Sequence, residues 1–411
     1  MKDPRIRVLF VEENQDGTIG GSHHSLLDLV ASLNKEKFLP FLLFYEKNRL
    51  IEDFERAGAR VIIRPKPRPV NLIEKLRHSP LSSLAAFPPL VRIAQMAWNV
   101  MRSDLIPLIG FAAFLLRNEI RIVHLNDSIF SGLPWVVAAK LTGRKVLSHH
   151  RGCLPNISPH LRYHHHWLDH ILGVSHYIRE YLRPFGVDLS KYSTLYNRID
   201  LDRFRGRITQ TEQQVRRQFA ATPTQPLIGT VGNLQRWKGQ RTVIEAIALL
   251  REKYSDLKCL LIGDTSNKHR DDILYFEELK EAIRTLGLQS HVLLTGHRQD
   301  IPDILQALDV FVHASVDPEA FGRVIVEAMG MGKAVIASNK GGPAEIIENG
   351  VSGILIPPGN ARLLAEKIDL LLSDPRLRDR LGQEARKRAE EQFTTLDIAL
   401  VERLYQNLLK T

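Results

Sequence analysis

Residues 226–356 repeat one unit, a short run of β-branched and aliphatic residues followed by an amphipathic stretch. The runs lie at 227–231, 257–262, 292–295, 310–313, 334–338 and 354–356, and 240–253 is one of the helical stretches between them. Strands separated by helices cannot pair through tight hairpins. They line up in parallel, and the crossover helices cover the faces of the sheet. The first half repeats the pattern at 6–11, 41–44, 61–63, 122–125, 145–148 and 171–174. The chain therefore reads as α/β, two doubly wound parallel-sheet (Rossmann-like) domains facing across a cleft. Its 411 residues suit two cores of about 200 residues each.

Strand periodicity lapses between Tyr196 and Pro226, where charge, Gly and Pro accumulate. The expected partition is an N-terminal domain over 1–200, a linker over 201–225 and a C-terminal domain over 226–389. A last helix over 390–411 is expected to return to the first domain. Ligands of doubly wound sheets sit beyond the carboxyl ends of the strands, so chemistry is expected in the loops that follow them.

Composition narrows the class. Forty-four per cent hydrophobic and 25 per cent charged residues exclude a disordered chain. Cys153 and Cys259 fall in different halves, which argues against a disulfide framework or a thiolate metal site and for a reducing compartment. Residues 1–14 show no apolar signal-peptide core, and the longest uncharged apolar run, 105–116, is too short for a bilayer. A cytoplasmic protein is expected, peripheral at the inner face of the cell membrane if it meets a membrane.

The formal charge of +10 is concentrated. Residues 64–121 hold nine Lys or Arg (Arg64, Lys66, Arg68, Lys75, Arg77, Arg92, Arg102, Arg117, Arg121) against Glu74, Asp104 and Glu119, a net charge of +6. Leu81, Leu84, Phe87, Leu90, Ile93, Met96 and Trp98 are interleaved with them. Such a stretch suits an anionic membrane surface or a lipid-bearing acceptor. It suits equally a pair of core-packing helices with solvated charges. No nucleic-acid motif accompanies the charge, so nucleic acid is not an expected partner.

The segment with most chemical content is 313–338, HASVDPEAFGRVIVEAMGMGKAVIAS. A strand ends near His313 and a helix begins near Arg323, with Val324, Ile325, Ala328 and Met331 as its apolar stripe. Backbone amides of Phe321 and Gly322 would meet a phosphate there, where orphan donors and the helix dipole stabilise an anion. Glu319 on the approach loop and Glu327 on the first turn could accept from sugar and ribose hydroxyls. Acids also favour helix N-termini for structural reasons alone. A second loop, 227–240, sets Arg236 and Lys238 at the end of a strand, where cations can neutralise a diphosphate; a single loop lysine is more often a solvated one. Near the N-terminus Gly20-Gly21-Ser22 lead from a strand into a helix, and two glycines let amides approach an anion. No G-x-G-x-x-G follows that strand, which weakens a dinucleotide-dehydrogenase reading. The histidines at 160, 164, 165, 166 and 170 have helical i, i+4 spacing but no HExxH pattern, so a polar face is favoured over a metal site.

Together these segments resemble the retaining glycosyltransferases of family 4, of GT-B architecture. The resemblance covers nearly the whole chain except 64–121. It is carried by Gly20-Gly21, HLNDSIFSGL (124–133), SHHRG (148–152), GVSHYI (173–178), LYNRIDLDRF (195–204), VGNLQRWKGQ (231–240), LIGDT (261–265), TGHRQDIPDIL (295–305), the Glu319 and Glu327 pair, and GGPAEIIENGVSGILIPPGN (341–360). The resemblance implies that Glu319 lies against the donor sugar and Glu327 binds the ribose. It implies further that the backbone of Phe321, Gly322 and Arg323 meets sugar and phosphate, that Lys238 binds the diphosphate, and that Gly21 closes over it. His149 or His150 would stand for a family histidine near the acceptor, with Arg151 close by. Two positions depart: Asn233 stands where the family commonly has Arg, leaving Arg236 as the alternative cation, and Arg198 stands where a small Gly is usual. A retaining, metal-independent hexosyltransferase without cofactor is implied, acting on a nucleotide sugar and a lipid-linked or cell-envelope glycan acceptor. The rivals are a sugar-nucleotide epimerase of related shape and a non-catalytic glycan- or membrane-binding protein.

Overall fold

The computed structural model describes residues 3–13, 19–65, 88–101, 106–153, 164–265 and 270–410. His160 lies outside them, as do Lys66, Arg68, Glu74, Lys75, Arg77, Leu81, Leu84, Phe87, Arg102, Asp104 and Leu105 of the basic stretch. The chain forms two compact units. One comprises 1–174, 179–195 and 397–411, the other 175–178 and 196–396.

The first unit holds a seven-stranded sheet, all of whose described pairings are parallel: β1 (Ile6–Glu12), β2 (Phe38–Phe44), β3 (Arg60–Ile63), β4 (Ile122–Asp127), β5 (Lys145–His150), β6 (His170–Gly173) and β7 (Tyr192–Thr194). Their spatial order is β3-β2-β1-β4-β5-β6-β7. Every residue of β2, FLPFLLF, is buried. Cover on both faces is why such strands read as continuous apolar runs rather than alternating ones. The second unit holds a six-stranded parallel sheet of β8 (Leu227–Val231), β9 (Lys258–Ile262), β10 (Val292–Gly296), β11 (Val310–His313), β12 (Ala334–Ser338) and β13 (Ile354–Ile356), in the order β10-β9-β8-β11-β12-β13. Both sheets thus run outward in one direction from their first strand and then in the other. The order reverses between β1 and β4 in one and between β8 and β11 in the other, and ligands of doubly wound sheets bind at such reversals.

Residues 201–225 are packed structure and not a linker. Helices Leu201–Arg205 and Glu212–Gln218 belong to the second unit, Val215 is wholly buried, and Arg216 pairs with Asp309 at 3.0 Å while donating to Gln225 O at 2.8 Å. A buried cation satisfied by a distant carboxylate looks in sequence like a solvated charge. The helix Pro375–Phe393 stays with the second unit, and the helix Ile398–Leu408 belongs to the first. That last helix is tied down by Tyr405, wholly buried, whose hydroxyl lies 2.6 Å from His124 Nδ1, and by Glu402, which accepts the Asn34 amide at 2.8 Å. His124 Nε2 already lacks a partner among the described residues. Tyr405→Phe would strand Nδ1 as well, and should cost about 1–3 kcal/mol in urea unfolding of the intact chain; an unchanged midpoint would show the bond to be worthless.

Candidate functional site

In the second unit the reversal between β8 and β11 gathers the polar groups. Strand β11 ends on buried His313, the chain loops through 314–322, and helix Arg323–Gly330 begins. Gly322 caps that helix at φ +105°, a left-handed conformation, and a Cβ there would also meet Ile325 Cδ1 at 2.9 Å. The loop is pinned from below by two glycines. Glu319 pairs backbone to backbone with Gly341, and Gly342 N donates to Glu319 O at 2.7 Å. A Cβ at Gly341 would stand 2.2 Å from Glu319 O, and one at Gly342 2.4 Å from Phe321 Cα. In sequence these glycines stand out only through the resemblance, because their partners lie some twenty residues upstream.

After β8 the chain makes the short turn Arg236–Lys238. Val316 N donates to Trp237 O at 2.8 Å, and Gly239, at φ +69°, lies so close to Ala314 O that a Cβ would be 2.0 Å from it. These contacts zip the two loops together. As a result Lys238 Nζ donates to Glu319 Oε2, His313 Nε2 lies 3.4 Å from the same oxygen, and Nζ sits 4.0 Å above the Trp237 ring. Burial alone would raise the Glu319 pKa. The adjacent Lys238 charge and the His313 hydrogen bond outweigh it and hold the carboxyl at about 2. The cluster is therefore an ionised carboxylate, a cation and an imidazole beside a helix N-terminus, a set able to hold an anion next to a polyol. Sequence reasoning passed over His313, whose role depends on Glu319 folding back toward the strand end.

Arg236 does not join this cluster. It is exposed, bonded through both guanidinium nitrogens to Glu278 at 2.7 and 2.8 Å and stacked 5.1 Å over Tyr275. Asn233 is exposed, and its carbonyl accepts Gln240 Nε2 at 2.9 Å. Glu327 is half-buried on the second turn of its helix, one turn later than the sequence suggests. Phe321 is buried against Tyr196 and Phe393, and the Arg323 side chain donates to Arg198 O at 3.1 Å.

In the first unit the corresponding reversal carries a second polar cluster. Asn126, at the end of β4, donates to Glu12 Oε2 and accepts from Arg151 Nε, both at 2.6 Å, and Arg151 Nη2 lies 3.0 Å from His149 Nδ1. A guanidinium only donates, so His149 Nδ1 accepts and the ring is neutral. Burial and the nearby Arg151 charge hold the His149 pKa well below its ordinary value, against the raising effect of a backbone hydrogen bond with Leu195. His150 accepts the Ile129 amide at 3.1 Å through Nδ1, and burial lowers its pKa to about 4. Both histidines are strand residues of β5, not loop residues. Asp127 is pushed up to about 6 by burial, against the lowering effect of Arg151. Gly20 precedes helix Gly21–Ser32; its amide lies 3.4 Å from His23 Nδ1, and among the described residues a Cβ there would meet nothing within 4 Å. Of the other histidines, His164 Nε2 lies 3.2 Å from Ser131 O and His170 Nε2 3.0 Å from Ser193 Oγ. Among the described residues no group of three or more His, Cys, Asp or Glu is set to hold a metal ion, and no helix is long and apolar enough to cross a membrane.

Comparison with known proteins adds an independent line. The family described as "Glycosyl transferases group 1" matches residues 211–388, and that described as "Glycosyltransferase Family 4" matches residues 19–203. The chain is 32% identical over 232 residues to spore coat protein SA of Bacillus subtilis (strain 168), across 54% of this chain and 60% of that protein. It is 31% identical over 191 residues to the putative glycosyltransferase EpsD of the same organism, across 46% and 48%. The chain thus covers less than two thirds of either relative's length. N-acetyl-alpha-D-glucosaminyl L-malate synthase of Bacillus anthracis is 24% identical over 304 residues, 72% of this chain and 76% of that one. Among solved structures, a glycosyltransferase from Rickettsia africae superposes with a TM-score of 0.77 at 22% identity over 99% of each chain. Anabaena HepE in complex with UDP superposes with a TM-score of 0.73 at 23% identity over 98% of this chain and 100% of that one. These likenesses show the fold, which is GT-B.

Proposed function

We propose that this chain, whose two halves match the family 4 and group 1 glycosyltransferase models, transfers a sugar from a nucleotide diphosphate donor to an acceptor hydroxyl with retention of configuration. The observation that carries this reading is the Lys238, Glu319 and His313 cluster beside the Gly322-capped helix, at the strand reversal of the second sheet. In the proposed mechanism Lys238 and the amides of Gly322 and Arg323 stabilise the diphosphate, and more strongly as charge develops on it during departure. Glu319 accepts from hydroxyls of the transferred sugar and Glu327 from the ribose. The acceptor hydroxyl attacks from the face the diphosphate is leaving, and a departing phosphate oxygen takes its proton. Cation and amides carry the neutralisation, so this scheme requires no metal ion. Neutral His149 and His150 are suited to donating a hydrogen bond to a sugar or acceptor oxygen and too weakly basic for a general base. Gly20 and Gly21 supply amides to an anion. Arg236, held by Glu278, serves the diphosphate only if it leaves that carboxylate.

The acceptor in this reading is a lipid-linked or cell-envelope glycan, motivated by the basic and apolar stretch 64–121, and the protein works in the cytoplasm at the membrane face. UDP, the nucleotide named with the Anabaena neighbour, is the first donor base to test. A panel of nucleotide sugars should contain one that raises the thermal midpoint, since a ligand bound only by the native state stabilises it; a panel with no effect would count against donor binding. Glu327→Ala should lower donor use roughly 10- to 150-fold by removing a charge-assisted hydrogen bond, and unchanged kinetics would remove Glu327 from the site.

A further inference from the structure

Helix Pro88–Val100 is inverted in polarity. Val91, Gln95 and Asn99, spaced i, i+4 and i+8, form its covered side, with Val91 buried and the two amide side chains half-buried. On the opposite side Ile93 is 66% exposed and Met96 58%, Ala97 is exposed beside them, and Met101, directly after the helix, is 38% exposed. A surface helix ordinarily turns its apolar stripe to the core. Here the stripe faces out and the amides face in. The next helix, Ile106–Arg117, is anchored in the ordinary way: Phe111 stacks on Trp135 with ring centres 3.9 Å apart, and Leu115 is wholly buried. Yet it too projects Ile109 at 79% and Leu116 at 51% exposure. Met101 and Ile106 are so close in sequence that their Cα atoms stand at most about 18 Å apart, so the two apolar faces belong to one region of the first unit.

Cations edge this region. Arg92, Arg117 and Arg121 are exposed, and the guanidinium of Arg64 lies 4.8 Å over the Phe111 ring. The acid described there, Glu119, is paired with Arg7 at 3.2 Å. Grouped exposed apolar side chains mark an interaction surface, and the charge selects the partner. A second copy meeting this face through a two-fold axis would set the same cations against one another. An anionic bilayer satisfies both features, accepting apolar side chains at the acyl boundary and guanidinium groups at its phosphates. We propose that this face docks the protein on an anionic lipid surface, with Ile93, Met96, Met101 and Ile109 entering the interface and Arg92 and Arg117 on lipid phosphates.

Sedimentation with vesicles of phosphatidylcholine, with and without phosphatidylglycerol, tests this and reads no catalysis. The full chain should bind the anionic vesicles alone, and less as salt rises. Ile93→Glu with Met96→Glu should lower partitioning at least about tenfold, and Arg92→Gln roughly fivefold, with the thermal midpoint unchanged because these side chains are exposed. Trp98, 43% exposed on the same helix, provides a second readout: brominated lipid should quench tryptophan emission in the wild type and less in Trp98→Phe. Equal binding to neutral vesicles, no binding at low salt, unaltered partitioning of the double variant, or self-association abolished by that variant would each overturn the proposal.

Discussion

Lys238→Met should lower donor turnover by about a hundredfold and destabilise the second unit by about 3 kcal/mol, and adding Glu319→Gln should restore the stability without restoring turnover. The reason lies in the burial of the pair, whose side chains are 18% and 15% exposed. Removing the cation leaves a carboxylate largely out of water, facing His313 at 3.4 Å. Removing the charge from both sides leaves a neutral amide in the same space, which costs little. Catalysis behaves differently, because the same lysine is the proposed partner of the departing diphosphate and nothing in the double variant replaces it. A single variant as stable as the wild type, or a double variant that recovers turnover, would break the assignment.

The pH dependence carries a sign that checks the same pair. In the wild type the folded Glu319 pKa lies near 2, below its ordinary value. Its contribution is therefore complete above the ordinary carboxylate range and is lost as pH falls toward 2. In Lys238→Met the principal lowering charge is gone and burial pushes the pKa upward. That variant should lose stability as pH rises through the folded pKa, so its deficit against the wild type should be largest near neutrality and shrink in acid. A deficit independent of pH would mean that lost packing, not an unpaired charge, explains the damage.

Particular residues show how far the chain could be read without its structure. Both sheets were legible, because strands covered on two faces leave apolar runs such as FLPFLLF that no surface segment imitates. Strand β7, Tyr192–Thr194, was not, since its three residues are only half-buried and carry no apolar signal. Glu319 and Lys238 were legible because a loop before a helix and a cation after a strand have local signatures. Their meeting depends on Gly239 and Gly341, whose tight backbone contacts join distant segments. Arg236 had the same local signature as Lys238, and only the fold shows that Glu278 claims it. The stretch 64–121 was ambiguous for a different reason. Periodicity shows that a helix has two unlike faces and does not say which one meets the core, so Ile93 and Met96 read equally well as packing or as docking residues until their exposure is known.

The largest purely steric effect is expected at Gly341. Gly341→Ala should destabilise the second unit by several kcal/mol and abolish donor protection, while Gly350→Ala should cost only about 1 kcal/mol. The two glycines share nearly the same left-handed conformation, φ +87° and φ +78°. Conformational strain from a new Cβ is therefore similar at both. They differ in surroundings: a Cβ at 341 meets Glu319 O at 2.2 Å and Glu319 N at 2.9 Å, whereas at 350 nothing among the described residues lies within 4 Å. Backbone atoms cannot rotate away as a side-chain tip can, so the alanine has room only if the 319–321 loop lifts. Lifting it breaks the Gly342-to-Glu319 hydrogen bond and carries the carboxylate away from Lys238 and His313. Strain alone would make the two variants alike, so thermal unfolding with and without nucleotide sugar separates the effects. Equal losses at 341 and 350, or donor protection that survives in Gly341→Ala, would show that the close approach of this loop is not what assembles the site.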